Sequence, residues 1–111
     1  MTTPSPLDEI DTAVQELRLE QQQSAFTRTL ASIVSALGVI PDSPPQDFTA
    51  AAIVRLGELA DETVVAIERR IDSGADDDKT QQRLAGTVYE VRRRMEVIDV
   101  WFRNHPSDPR R

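Results

Sequence analysis

The side chains best suited to chemistry in this sequence are carboxylates. Glu58, Asp61 and Glu62 stand at i, i+3 and i+4, a spacing that places them on one face of a helix, and Glu96 and Asp99 repeat the i, i+3 step further on. Two such faces opposed across a helical bundle could hold Mg2+, a hard cation that takes oxygen ligands. Glu96 and Asp99 also stand four residues from Arg92 and Arg103, so surface ion pairing worth roughly 0.2–0.5 kcal/mol each accounts for them without a metal. Other chemistries are more tightly excluded. The chain has no cysteine, which removes disulfides, thiolate zinc sites, iron–sulfur clusters and cysteine nucleophiles. Its single histidine, His105, sits beside Pro106 and reads as a cation near a helix C-terminus; one histidine cannot build a multi-histidine metal site. Serines and threonines are plentiful, but none has a His or Lys placed to act as its base, and no Gly-rich phosphate loop is present. The expectation is a non-catalytic protein without cofactor, with Mg2+ bound by Glu58, Asp61, Glu62, Glu96 and Asp99 as the alternative.

These residues would have to be positioned by helices, because no strand pattern competes. Pro4 and Pro6 keep the first residues extended, after which Leu7, Ile10, Val14 and Leu17 form an amphipathic stripe with Asp8, Glu9 and Asp11 in its first turn. The stripe fails at Glu20. Phe26, Leu30, Ile33, Val34 and Leu37 then resume in a new register, which fits either one bent helix over about residues 7–37 or an arm over about residues 1–22 ahead of a core helix at about 24–37. We take the second arrangement. Gly38 in the left-handed conformation, followed by Val39 and Pro41, would stop that helix. The next is expected over about residues 47–73, capped by Asp47, or by Ser43 with Pro44 at its first position, and ended by Ser73-Gly74. Its apolar face is Ile53, Leu56, Ala60, Val64, Ile67 and Ile71. Asp76, Asp77 and Asp78 offer alternative N-caps, and Asp78 with Gln81 resembles a capping box, for a last helix over about residues 78–104, whose Leu84, Val88, Val91, Met95, Ile98 and Phe102 recur at 4-3-4-3-4. Pro106 ends it, leaving about residues 105–111 as a frayed tail. The fold expected is all-α: an antiparallel three-helix bundle with an N-terminal amphipathic arm or fourth helix.

At 111 residues there is room for one domain and one core over about residues 23–104. The longest apolar run, Ala50–Val54, is far shorter than the roughly 20 residues that span a bilayer, and the first residues do not read as a targeting signal, so a cytoplasmic location is expected. A net charge of −6 opposes nucleic-acid binding, since phosphate neutralisation needs a basic surface, and the acidic arm opposes an anionic membrane. Charge is uneven along the chain. Residues 1–78 hold 5 basic and 15 acidic side chains and residues 79–111 hold 8 and 4, so the two parts should attract.

One feature exceeds what a small monomeric core requires. Toward its end the last helix is apolar nearly all round, with Val97, Ile98, Val100, Trp101 and Phe102. Either the arm covers this band or a second copy does, with Trp101 as anchor of a homodimer. The stripe Leu7, Ile10, Val14 and Leu17 could equally dock in the groove of a partner protein or complete the chain's own bundle. Interface candidates are therefore Val97, Val100, Trp101 and Phe102 with Leu7, Ile10, Val14 and Leu17, and the function expected is that of an adaptor, scaffold or regulator.

Two resemblances bear on this. The segment Ser24-Ala25-Phe26 through Ala36-Leu37-Gly38-Val39-Ile40-Pro41-Asp42, with Leu84 and Tyr89-Glu90-Val91-Arg92, resembles a domain-of-unknown-function family of small helical bacterial proteins over about residues 24–98. That resemblance implies a bacterial cytosolic helical protein and transfers no functional residue. Separately, Glu96-Val97-Ile98-Asp99-Val100-Trp101 is similar to the E-x-x-D-V-L/W element of all-helical nucleotide pyrophosphohydrolases, and Gly57-Glu58-Leu59-Ala60-Asp61-Glu62 to their first helix. This second resemblance implies Mg2+-dependent hydrolysis, but the family's adjacent glutamate pair is absent, because Arg55, Leu56 and Gly57 precede Glu58.

Overall fold

The break at Glu20 separates two helices. In the computed structural model, which describes residues 6–41 and 49–104, Glu20 turns its carboxylate onto the backbone N–H groups of Gln21 and Gln22, at 3.1 and 3.0 Å. Donors that would otherwise continue a helix are satisfied by a side chain, and the new register at Phe26 follows. The described residues form four helices and no strand: α1 (Pro6–Leu19), α2 (Gln23–Val39), α3 (Ala50–Asp72) and α4 (Asp78–Asn104). All-α architecture is thus shown, and the first helix is a full structural member. Ile10, Val14 and Leu17 are buried in one core with Phe26, Leu30, Ile33 and Leu37 of α2, Leu56, Leu59 and Ile67 of α3, and Leu84, Val91 and Ile98 of α4.

The helices pack as a ring, α1 on α2, α2 on α4, α4 on α3 and α3 on α1. Direction follows from the bonds that cross each seam. Asp11 meets Arg55 and Arg18 meets Glu62, so α1 and α3 run the same way. Gln23 donates to Thr80 and Arg94 to the Val34 carbonyl, so α2 and α4 do likewise. The molecule is therefore two helical hairpins, α1–α2 and α3–α4, side by side. Two of its four seams are parallel, where a wholly antiparallel bundle was expected, and α2 and α3 stand diagonally opposite.

Helix ends also depart from expectation. Gly38 does not adopt a left-handed conformation; α2 continues through it to Val39, and the positive φ belongs to Gly74 at +69°, just after α3. Gly38 lies under Arg94 instead, whose Nε would sit 3.5 Å from an added Cβ. The cap of α3 is Thr49, which accepts from the Ala52 N–H at 3.1 Å; Ser43, Pro44 and Asp47 lie outside the described residues. At α4 the capping carboxylate is Asp77, one of the three aspartates the sequence offers, accepting from the Thr80 N–H at 2.9 Å in place of the capping box on Asp78. His105, Pro106 and the rest of residues 105–111 lie outside the described residues, as do residues 1–5.

Candidate interaction surface and the carboxylate groups

The outer face of α4 keeps apolar side chains in solvent. Tyr89, Arg93, Val97 and Val100 fall within a sector of about 80° at 100° per residue. Tyr89 is 65% exposed, Val97 46% and Val100 44%, while Arg93 is exposed between them. Trp101 flanks this face, half-buried, its ring set edge-on to Phe102 at a centroid distance of 4.8 Å, and Phe102 packs on the core. Of the candidate interface residues, Val97 and Val100 are thus outermost and Trp101 sits at their edge. Ile10, Val14 and Leu17 are buried within the chain's own core and Leu7 packs partly against it, so this folded form offers no free stripe on α1. Tyr89 is not among the interface candidates expected from the sequence; the signal for it is its helical phase with Val97 and Val100.

The carboxylates divide into two groups. Glu58 pairs with Arg55 at 3.1 Å, and Glu62 meets Arg18 at 3.2 Å and Arg55 at 3.7 Å, along the α1–α3 seam. Asp61 stands between the seams: it lines a cleft of about 240 Å³ with Arg92, Glu96 and Asp99 of α4 and, beside Glu62, one of about 610 Å³ on the α1 side. The five candidate metal ligands therefore do not form one cluster: Glu58 and Glu62 are paired with arginine, and Asp61, Glu96 and Asp99 share their cleft with Arg92. Among the described residues no group of three or more His, Asp or Glu side chains gathers as a metal site. The pairs expected within α4 are not formed: no salt bridge joins Arg92 to Glu96 or Asp99 to Arg103 among the described residues, and Arg92 instead shares the cleft with Asp61.

A third arrangement was not foreseen. Asp76, expected among alternative helix caps, holds Arg70 in a fork with Nε–Oδ2 at 2.7 Å and Nη2–Oδ1 at 2.8 Å. Arg70 also donates to the Gln21 carbonyl at 2.8 Å, and its guanidinium lies 5.4 Å from the centre of the Phe26 ring. One side chain so ties the α1–α2 turn, the start of α2, the end of α3 and the α3–α4 turn. The hydrogen bonds from Arg70 hold the Asp76 carboxyl below the usual carboxylate range, against the opposing effect of burial, and Asp76 in turn raises Arg70. Asp77 is also lowered, first by the Thr80 side chain and then by its backbone N–H. No signal in the sequence distinguishes this six-residue pair from the neighbouring aspartates.

Charge is sorted by layer. Helices α1 and α3 together carry nine acidic and four basic side chains, whereas α2 and α4 carry four and seven, and α2 has no acidic residue at all. The expected attraction between an acidic and a basic part becomes a two-sided bundle. Compared with models of known protein families, with curated proteins and with solved structures, the chain matches none. None of the described helices is long and apolar enough to cross a membrane.

Proposed function

We propose that the protein is a non-catalytic helical interaction module that self-associates through the outer face of α4. The observation that carries this reading is the placement of Val97 and Val100, nearly half exposed, beside Trp101 at one end of the longest helix. Isolated exposed valines need no partner, but a band rimmed by a half-buried tryptophan and arginines matches the composition of interface centres. A symmetric pair of α4 helices would bury the same patch on both copies, the commonest form of homodimer. The same reading places the protein in the cytoplasm with a protein partner, and leaves out nucleic acid and membrane, because the acidic layer would repel polyanions.

Light scattering of the full chain over a concentration series tests the proposal. A dimer mass that falls to the monomer in Val97→Glu/Val100→Glu is the expected result, with Trp101→Ala weakening the dimer in the same direction. A monomer at every concentration, or a dimer indifferent to all three substitutions, overturns it. A second reading, an Mg2+-dependent enzyme similar to nucleotide pyrophosphohydrolases, draws on one observation: Asp61 and the Glu96–Asp99 pair line one cleft from two helices. Arg92 in that cleft opposes it by supplying the positive charge a cation would bring. A rise in melting temperature with Mg2+ that is abolished by Asp61→Asn/Asp99→Asn would favour the enzyme.

A further inference from the structure

Where α2 and α4 run parallel they leave a groove of about 770 Å³, the largest of the open clefts described in the bundle. Its floor is apolar, formed by Leu30 and Val34 of α2 and Leu84 of α4. On α2 it runs from Gln23 to Ser35, which at 1.5 Å per residue is about 18 Å, the length of three helical turns. Ser24, Thr27, Ala31 and Ser35 line that side, all small, so another helix can approach closely. The charged side chains on the rim are Arg28, Arg83, Arg94 and a single glutamate, Glu90. Arg94 is committed to the Val34 carbonyl at 3.2 Å, whereas the guanidinium groups of Arg28 and Arg83 make no hydrogen bond or ion pair among the described residues, Arg83 acting only at longer range on the Asp77 carboxylate. An otherwise acidic protein thus presents one basic, apolar-floored trough.

We propose that the α2–α4 groove binds an acidic amphipathic helix of a partner protein, three to four turns long, with its apolar stripe on Leu30, Val34 and Leu84 and its acidic flanks on Arg28 and Arg83. This names the partner class of the interaction module and rests on that reading, but it uses a surface distinct from the outer face of α4. A helix is selected over an extended polyanion by two features. The apolar floor gives a nucleic-acid backbone nothing to contact, and the acidic α1–α3 layer repels long polyanions while a short helix meets only the local basic rim. Opposite charge on the flanks would set partner choice and orientation.

The test is a display screen of the full-length protein against amphipathic helices of about 14 residues, with a fixed Leu/Ile stripe and the other positions drawn equally from Glu, Lys, Gln and Ala. Glu should be enriched over Lys, and the best binder should lose about tenfold or more in affinity to Arg28→Glu/Arg83→Glu. Because the chain has no cysteine, a fluorophore on Ala31→Cys reports the groove alone and one on Val65→Cys reports the opposite layer. Only the first should respond. Enrichment of Lys, absence of any enrichment, an unchanged affinity, or a response at position 65 overturns the proposal. If the double reversal fails to fold, Arg28→Gln and Arg83→Gln singly should each weaken binding, and unchanged binding in both overturns it.

Light scattering separates this from self-association. Arg28→Glu/Arg83→Glu should leave the solution mass unchanged, and Val97→Glu/Val100→Glu should leave peptide binding unchanged. A mass change in the former would make the occupant a second copy, and tighter binding of single-stranded RNA or phosphatidylserine vesicles than of the acidic peptide would make it a polyanion; either result overturns the proposal.

Discussion

Arginine meets carboxylate at two places in this bundle, and the two places do different things. At the α3–α4 turn, Arg70 and Asp76 are 11% and 1% exposed and join in a bidentate fork, with a third bond to the Gln21 carbonyl and the Phe26 ring beneath. Along the α1–α3 seam, Arg55 is shared among Asp11, Glu58 and Glu62 at 3.1–3.7 Å, with every partner about one-third exposed or more. Water screens the second group and solvates each member when its partner is removed. It cannot reach Asp76, so there the loss of one partner leaves a buried charge. The difference teaches that ion pairs of like chemistry act as a structural clasp in one case and as a solvated face in the other, and that burial, not pairing, decides.

The largest test of this contrast is Asp76→Ala. Removing one member of a buried pair costs about 3–5 kcal/mol in general, and the residual exposure of Arg70 puts this case near the low end, about 3 kcal/mol. Equilibrium denaturation with urea should show that loss, and a loss below a third of it would place the clasp with the surface pairs. The double variant Arg70→Met/Asp76→Leu should recover most of the stability, because it removes both charges and keeps apolar volume over Phe26. A double variant as weak as Asp76→Ala would show that the pair contributes more than the avoidance of its own desolvation.

Acid should unfasten the clasp without mutation. The Asp76 carboxyl is held below its unfolded value, so it contributes stability above the unfolded pKa of about 4, and that stability is lost as pH falls through the lower folded value. Asp77 is lowered in the same sense by Thr80. The wild-type melting temperature should therefore drop below about pH 4, more steeply than that of Arg70→Met/Asp76→Leu, which lacks the titrating group. Parallel curves for the two proteins would show that other carboxylates dominate acid unfolding.

Legibility in the sequence followed the range of the interaction. The seam Leu84, Val88, Val91, Met95, Ile98 and Phe102 and the face Ile53, Leu56, Ala60, Val64, Ile67 and Ile71 were readable because helical period alone puts them on one side: Leu84, Val91, Ile98, Leu56, Ala60, Val64 and Ile67 are buried, and the other five pack partly buried against the core. The register change before Phe26 was readable, but not its cause, since whether a helix bends or breaks depends on where the Glu20 carboxylate turns. Topology was read less well. Short connections suggested antiparallel neighbours throughout, but the order of helices around the ring is set by which faces meet, and that placed α1 beside α3 in parallel. The spread of Glu58, Asp61 and Glu62 has the same origin: residues three and four apart share a helix face, but that face lies between two seams, so Glu58 and Glu62 pair with arginines on one side while Asp61 also lines the α4 cleft on the other. Arg70 and Asp76 were not legible at all, because a fork closed across a turn leaves no period in the sequence.

The smallest expected effect completes the contrast. Arg55→Ala removes a guanidinium that three carboxylates share, yet all of them keep water as a partner, so the midpoint of urea denaturation should move by a small fraction of the Asp76→Ala change. What remains of that effect should be electrostatic and long-ranged. Layer α1–α3 already carries an excess of acid, so deleting Arg55 increases repulsion between α1 and α3, and the loss should shrink as salt rises from about 0.05 to 0.5 M because the screening length falls below the spacing of the helices. The Asp76→Ala loss, arising from a pair that solvent ions do not reach, should be nearly independent of salt. Equal salt dependence in the two variants would mean that the clasp is as wet as the network, and the distinction between them would collapse.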